Sequence, residues 1–136
     1  MNKNITKLES AVKYHIVFCP KYKRKIFNIE GLQERVRMLI CTEFKKRDIS
    51  ILSFECGSNY VHMHVESPPT MSAHDICFMA KKATGTTIQN EYPALSSMSA
   101  LWTRTYFVTT DIQLSQEDID RYVNSIPNSP YTAKES

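Results

Sequence analysis

Short runs of apolar, β-branched and aromatic residues, separated by turn residues, predict four β-strands. The first run stops at Pro20, which cannot donate a backbone hydrogen bond to a strand ladder, and the third stops at Pro68. Gly57, Ser58 and Asn59 provide turn chemistry between the second and third runs, so these two strands should form a hairpin. The predicted strands cover residues 14–19, 49–56, about 60–67 and 101–109.

Three further stretches are predicted to be helices, and the first and third of them have apolar residues at the three- to four-residue spacing that is typical of amphipathic helices. The second and third of them begin with a serine three residues before an aspartate, formed by Ser72 with Asp75 and by Ser115 with Asp118. This is the capping pattern of a helix N-terminus. Gly85 weakens the middle of the second helix and predicts a kink there. The predicted helices cover residues 32–47, about 72–92 and about 115–126.

The order of these elements is β-α-β-β-α-β followed by one more helix. It predicts an α+β fold of the ferredoxin-like, split β-α-β type, with an antiparallel sheet and helices on one face. In this plan the first and third strands lie side by side at the centre of the sheet. A chain of 136 residues is long enough for one domain and short for two, so we expect a single domain over residues 1–136 with a loosely ordered tail from residue 127.

The third predicted strand carries two histidines, His62 and His64, on either side of Met63. Because side chains alternate along a strand, His62, His64 and Glu66 share one face. Two imidazoles on one strand face can bind one metal ion. A half-buried strand whose polar side happens to carry two histidines is an equally good interpretation of this pattern alone.

Positive charge is clustered although the net charge is only +3. Lys21, Lys23, Arg24 and Lys25 fall within five positions, with Tyr22 among them. Such a loop suits a phosphate backbone, and its aromatic ring could stack on an unpaired base. A solvated surface loop has the same composition.

The sequence also indicates where the protein acts. No stretch approaches the roughly 20 apolar residues that a membrane span requires, and the N-terminus lacks the apolar core of a signal peptide. The four cysteines are spaced too widely for a zinc knuckle. We therefore expect a soluble cytoplasmic protein whose cysteines are reduced and mostly buried, and which acts without a membrane partner.

Tyr122, in the third predicted helix, is the candidate nucleophile. A divalent cation near it could polarise a phosphodiester and ease attack by the phenol on phosphorus, which gives a covalent phosphotyrosine. The alternative is a structural role. Ile119 and Ile126 flank Tyr122 on its own side of the helix, and a tyrosine beside an apolar stripe usually packs against a sheet.

Several segments, in the same order along the chain, resemble the single-tyrosine HUH transposases of the insertion-sequence-200/605 type. They are the opening strand and basic loop, the two-histidine motif, the exit from its strand, the fourth-strand region and the nucleophile segment, at residues 14–25, 61–64, 67–69, 101–108 and 121–123. The resemblance implies a transposase that binds hairpin ends of single-stranded DNA, and cleaves and rejoins them through a 5′-phosphotyrosine on Tyr122.

The same resemblance implies particular partners for the site. His62 and His64 would hold Mg²⁺ or Mn²⁺, and Arg104 would contact DNA together with the basic-loop residues Lys21, Tyr22, Lys23, Arg24 and Lys25. The protein would be a homodimer in which the tyrosine helix of one subunit completes the histidine site of the other. No nucleotide cofactor is implied, because the bond energy is conserved in the phosphotyrosine.

One departure from the family pattern concerns the metal. The family usually has a glutamine ligand four residues after the tyrosine, and this chain has Ile126, which cannot bind a metal. Glu66, Asn124 and Ser125 are oxygen donors that could replace it, with Glu66 favoured because it shares the histidine face.

Other departures concern the backbone. Pro127 ends the tyrosine helix early, and Thr105 and Lys82 stand where the family commonly has glycine. Together the departures raise a second interpretation, a degenerate or repurposed member that binds nucleic acid without efficient cleavage. A phosphodiesterase that uses its histidines as acid and base is a further alternative, but it would more naturally have a second His-x-His or His-x-Thr run, which this sequence lacks.

Overall fold

The computed structural model of the chain describes residues 11–129. Residues 1–10, and residues 130–136 of the predicted tail, lie outside this part. The elements follow in the predicted order β-α-β-β-α-β-α. The strands are β1 (Val12–Phe18), β2 (Ser50–Gly57), β3 (Tyr60–Ser67) and β4 (Phe107–Thr109), and the α-helices are α1 (Leu32–Lys45), α2 (Ala73–Glu91) and α3 (Gln116–Asn124).

The strands form one antiparallel sheet in the order β2-β3-β1-β4. Strands β1 and β3 therefore lie at the centre, and β2 and β3 form the predicted hairpin. The α+β, ferredoxin-like fold predicted from the sequence is confirmed.

Each face of the sheet has its own apolar cluster. On one face, β1 and β3 pack against α1 and α2 through residues such as Phe18, Met63 and Ile76. On the other face lies a smaller cluster, which we call the second cluster. It consists of buried Val17 and Cys19 from the β1 region and Ile119, Val123 and Ile126 from the α3 region. Two helices thus cover one face, as predicted, and α3 covers part of the opposite face.

Both predicted helix caps are present. The Ser72 hydroxyl accepts a hydrogen bond from the backbone N–H of Asp75 at 3.0 Å, and the Ser115 hydroxyl accepts one from Asp118 at 3.1 Å. Each bond satisfies one of the donors that a helix N-terminus leaves unpaired. A serine cap is a local feature, so it could be predicted from neighbouring residues alone.

The kink predicted near Gly85 does not break the helix, because α2 continues without interruption from Ala73 to Glu91. Thr84 is fully buried, and its hydroxyl bonds to the carbonyl of Ala80 at 2.8 Å and accepts the indole N–H of Trp102 at 2.8 Å. Burial and this tertiary hydrogen bond offset the poor helix propensity of the Thr-Gly pair.

The predicted strand over residues 101–109 is also wrong in part, because only Phe107–Thr109 pairs with β1 as a strand. Trp102 forms an isolated bridge with Pro20, and its side chain is buried edge-on against Phe18, with ring centroids 4.8 Å apart. The ammonium group of Lys81 on α2 donates to the carbonyls of Thr103 and Thr105 at 2.7 and 2.9 Å. These carbonyls are therefore satisfied by a side chain and not by a strand ladder.

Two expectations about the environment of the protein can be compared with residues 11–129. Within that part, no helix is long and apolar enough to cross a membrane. The four cysteines are free, with Cys19 and Cys77 buried and Cys41 and Cys56 partly exposed. Burial raises the pKa of the Cys19 thiol to about 12, so this thiol stays protonated and packs as a small apolar group.

Candidate active site

His62 and His64 project from the same face of the central strand β3, as the alternation of side chains requires. The register pairs Val17 with His62 and His15 with His64. Directly opposed residues of an antiparallel pair point to the same side of the sheet, so His15 joins the two predicted histidines. The face therefore carries three neighbouring imidazoles.

His15 touches both of the other rings. Its Nδ1 lies 2.9 Å from Nε2 of His62, and its ring stacks on that of His64 with centroids 4.0 Å apart. Its Nε2 lies 3.2 Å from the carbonyl oxygen of Ile112, which can only accept, so this nitrogen carries the hydrogen. In neutral His15, Nδ1 is then an acceptor and Nε2 of His62 donates to it. This nitrogen of His62 must give up that contact before it can bind a metal.

Burial is the largest cause that lowers the pKa of both His62 and His64, and the neighbouring His15 lowers both further. Glu55, which lies opposite His62 on β2, acts on His62 in the other direction. The net shift favours neutral imidazoles, which are the form that binds metal ions.

The donor chemistry of the pair fits a divalent ion. Imidazole binds divalent first-row transition ions, of which Mn²⁺ is bound most weakly and, like Mg²⁺, is also suited to oxygen ligands. Within residues 11–129, no group of three or more His, Cys, Asp or Glu side chains is arranged to hold a metal ion. Ile126 lies 4% exposed in the second cluster, so it can neither ligate nor leave space for a ligand there.

The oxygen donors considered as replacements for the glutamine lie in different surroundings. Glu66 is paired across the strands with Lys13, two positions along β3 from His64. The hydroxyl of Ser125 donates to the carbonyl of Tyr122 at 2.5 Å, and Asn124 is exposed on α3. The proposed metal role of each therefore stays a prediction.

Tyr122 is half-buried at the edge of the second cluster. Its ring centroid lies 6.2 Å from that of Phe107, and its hydroxyl lies 2.8 Å from the hydroxyl of Thr105. Burial raises the pKa of the Tyr122 phenol, and the Thr105 hydrogen bond offsets part of this effect. The packing expected of a structural tyrosine is thus present, while its hydroxyl remains bound to a polar partner.

The sheet register separates this tyrosine from the histidines of the same chain. Phe107 pairs with Val17 on β1, and Val17 pairs with His62 on β3. Two strand spacings therefore lie between Phe107 and His62, or about 10 Å. Within residues 11–129, the Tyr122 side chain contacts Thr105 through its hydroxyl and Phe107 through its ring, and not His62.

The residues predicted to bind DNA are only partly brought together. Lys21, Tyr22 and Arg104 line one groove of about 390 Å³, which also contacts Ile126 and Pro127 at the end of α3. Lys23 is partly buried, and Arg24 and Lys25 are exposed. We call this space the basic groove.

Within the basic groove, Lys21 and Tyr22 are held in place. The ammonium group of Lys21 donates to the hydroxyl of Ser99 at 2.9 Å and lies 5.5 Å from the Tyr22 ring centroid. Tyr22 has a positive φ of 60°, an uncommon conformation for a non-glycine residue. The tyrosine ring is therefore presented by a turn that is tied to the segment before Trp102 by this hydrogen bond.

Sequence reasoning missed His15, Glu55 and the contact between Thr105 and Tyr122. Each depends on which residues face each other across strands or between a loop and a helix. Side chains alternate along the strand that contains His15, so the sequence could show which of its neighbours share its face. The sequence could not show which residue of the adjacent strand lies opposite His15.

Comparisons with known proteins give consistent results. A sequence profile of the family described as "Transposase IS200 like" matches residues 9–126. The transposase for insertion sequence element IS200 from Salmonella typhimurium is 31% identical over 101 residues, which cover 72% of this chain and 66% of that protein. The alignment thus spans just under two thirds of the relative. The ISDra2 transposase TnpA of Deinococcus radiodurans is 22% identical over 120 residues, 84% of this chain and 83% of that protein.

Two solved structures share the fold. One is a Deinococcus radiodurans protein described as a candidate transposase, with a TM-score of 0.78 and 17% identity over 88% of this chain and 93% of that one. The other is a REP-associated tyrosine transposase bound to a REP hairpin, with a TM-score of 0.52 and 10% identity over 85% of this chain and 64% of that one.

Proposed function

This chain belongs to the IS200-like transposase family, and from that premise we propose that it cleaves and rejoins single-stranded DNA through a phosphotyrosine at Tyr122. The observation that carries the proposal is the pair His62 and His64 on one face of the central strand, with the tyrosine helix α3 on that side of the sheet. Paired imidazoles that can hold a cation, together with a phenol, suit transfer of a phosphodiester.

In the proposed reaction the Tyr122 oxygen attacks the phosphorus of a DNA phosphodiester. A tyrosine O–P bond forms, the bond from phosphorus to the 3′ oxygen breaks, and that oxygen takes up a proton as the phenol loses one. The 5′ phosphate stays on the tyrosine and the other end is a free 3′-hydroxyl. Attack by a 3′-hydroxyl reverses the step, so rejoining requires no nucleotide cofactor.

We assign the cation to His62 and His64. Mg²⁺ or Mn²⁺ bound there would supply positive charge next to the scissile phosphate. His15 contacts both rings, so it orients them when the cation is absent and has to release His62 when the cation binds through Nε2.

We assign the basic groove to the DNA strand. Lys21 and Arg104 would neutralise phosphates, and Tyr22 would stack on an unpaired base, as aromatic side chains in single-strand-binding grooves do. The groove reaches the end of α3, three residues after the nucleophile segment, so a strand bound there would pass close to Tyr122. A fold neighbour bound to a REP hairpin supports a hairpin end as the ligand.

We further propose that the working form is a homodimer in which α3 of one subunit serves the histidines of the other. The support for this is that the Tyr122 hydroxyl contacts Thr105 and its ring packs beside Phe107, at a strand position about two strand spacings from His62 of the same chain.

The test is formation of a covalent adduct with hairpin-bearing single-stranded DNA from the ends of the element that encodes the protein. Wild-type protein with Mn²⁺ or Mg²⁺ should give a shifted band on a denaturing gel, and Tyr122→Phe should abolish it. Tyr60→Phe is the matched control, because Tyr60 packs in the same second cluster and should leave the band unchanged. Absence of any adduct with either cation would contradict the proposal.

The second candidate is a family member that binds nucleic acid without efficient cleavage. Two observations favour it: Ile126 fills the position of the expected ligand, and Nε2 of His62 is bonded to His15. This alternative predicts salt-dependent DNA binding that is lost in Lys21→Ala with Arg104→Ala and is unchanged in His62→Ala and Tyr122→Phe. An adduct in the first assay would rule it out.

A further inference from the structure

His15 is held in an orientation that turns one of its ring nitrogens toward His62. Its Nε2 donates a hydrogen to the carbonyl of Ile112 at 3.2 Å, so Nδ1 presents its lone pair to Nε2 of His62 at 2.9 Å. Histidines that bind metal ions usually donate their other ring N–H to a carbonyl or carboxylate, which fixes the tautomer and the ring orientation. The Ile112 contact therefore prepares His15 to act as a ligand through Nδ1.

The spacing of these two nitrogens matches that of two ligands on one ion. Imidazole nitrogens lie about 2.1 Å from a divalent transition ion, so adjacent nitrogens are about 3.0 Å apart in octahedral and about 3.4 Å apart in tetrahedral geometry. The distance of 2.9 Å between Nδ1 of His15 and Nε2 of His62 is close to the octahedral value. An ion can thus replace the shared hydrogen with small rotations of the two rings.

Binding of an ion through Nε2 of His62 takes the donor away from the His15 lone pair. The displaced hydrogen moves through solvent to Nδ1 of the His62 ring, which stays neutral. His15 is only 7% exposed, and a buried acceptor that loses its hydrogen bond costs free energy. Binding of Nδ1 to the same ion removes that cost.

The His64 ring lies next to the same position. It stacks on His15 with an angle of 6° between the ring planes and, within residues 11–129, makes no hydrogen bond. Because His64 is partly exposed, its ring can turn without opening the core. The three rings are adjacent but do not yet converge on one point, in agreement with the lack of a preformed group of three ligands in this part of the chain.

We propose that His15 is the third protein ligand of the cation, bound through Nδ1, in place of the ligand that Ile126 cannot supply. The proposal rests on the proposed function only in that it assigns the cation to His62 and His64. Three imidazoles suit transition ions such as Co²⁺ and Zn²⁺ better than Mg²⁺, which prefers oxygen ligands. All three ligands come from the adjacent strands β1 and β3 of one subunit, so cation binding does not require α3.

The test uses Co²⁺ as the probe and the whole protein without DNA. Isothermal titration calorimetry gives the affinity, and the visible absorption of bound Co²⁺ reports its ligands. His15→Gln keeps an amide N–H near the position of Nε2 but has no donor atom at that of Nδ1. It should weaken Co²⁺ binding at least about tenfold, since loss of even a residue that only supports a ligand costs that much.

A second variant separates a ligand from a support. His15→Asn places an amide oxygen near the position of Nδ1 and loses the contact with Ile112, so it should retain more affinity than His15→Gln and change the absorption spectrum. His74→Gln is the matched control, because His74 is exposed on α2, over the opposite face of the sheet. Urea denaturation without metal checks that each variant is folded.

Wild-type affinity in His15→Gln would overturn the proposal. Equal losses in His15→Gln and His15→Asn would also overturn it, because His15 would then act only as a support, and so would a wild-type protein that binds no Co²⁺. The adduct assay decides the proposed function separately. An adduct together with wild-type Co²⁺ binding in His15→Gln would reject only the third ligand, whereas Co²⁺ binding that depends on His15 without any adduct would reject only the cleavage.

Discussion

His15, His62 and His64 are in contact because the antiparallel register places His15 opposite His64 and beside His62. A single strand places two histidines on one face, but three require a particular alignment of two strands. Desolvation, and then repulsion from the neighbouring His15, favour the neutral rings of His62 and His64. The same residues that could bind a cation therefore also make the stability of the fold depend on pH.

We expect the free energy of unfolding to fall as pH drops below about 6.5. The folded-state pKa of His62 and of His64 lies below the ordinary histidine value of 6.5, so in that range the unfolded chain binds protons that the folded protein does not. Urea denaturation in metal-free buffer at about pH 7.5 and about pH 5.5 measures the loss. The double variant His62→Gln, His64→Gln should lose less than wild type over the same interval, and an equal loss would contradict the assignment.

At the scale of single elements, one stripe of apolar residues determines where helix α3 docks on the sheet. Ile119 and Val123 on the helix and Ile126 just after it are buried against Val17 and Cys19. The Ser115 cap starts the helix, and Pro127 follows its last turn. The residue that replaces the family's glutamine is therefore part of the contact that docks the tyrosine helix.

Ile126→Gln, which restores the amide expected of the family, should destabilise the protein by about 1–3 kcal/mol, because a polar group would be buried without a partner. The matched control is Ile112→Gln, at a side chain that is 91% exposed, which should change stability by less than about 0.5 kcal/mol. Urea denaturation compares the two. Equal stability of Ile126→Gln and wild type would mean that α3 is not docked through this residue.

At the scale of the whole molecule, the two faces of the antiparallel sheet differ in what they carry. The face covered by α1 and α2 contains the larger apolar cluster, and the opposite face carries the histidines and α3. The open face is therefore where a second subunit and a DNA strand could both approach the site.

A composite site predicts that two inactive variants complement each other. Co-expressed Tyr122→Phe and the double variant His62→Ala, His64→Ala should form adduct together, because mixed dimers pair an intact tyrosine helix with an intact histidine pair. The readout is the same denaturing gel, with each variant alone as control. A site built within one chain would give no adduct in the mixture.

The sequence by itself was sufficient for the element order, the two serine caps and the shared face of His62 and His64. These depend on residues that are close along the chain, through helical and strand periodicity and through local hydrogen bonds. The resemblance to the transposase family could also be read from short segments in order, and the profile match over residues 9–126 confirmed it.

Tertiary structure decided the features that depend on residues far apart in the chain. Alignment of β1 with β3 brought His15 to His62 and His64, and burial of Trp102 with the Lys81 hydrogen bonds replaced most of the predicted fourth strand. The same packing put Thr105 against Tyr122. Local propensity does not determine strand register or which carbonyl a buried lysine binds, because both depend on how the whole core packs.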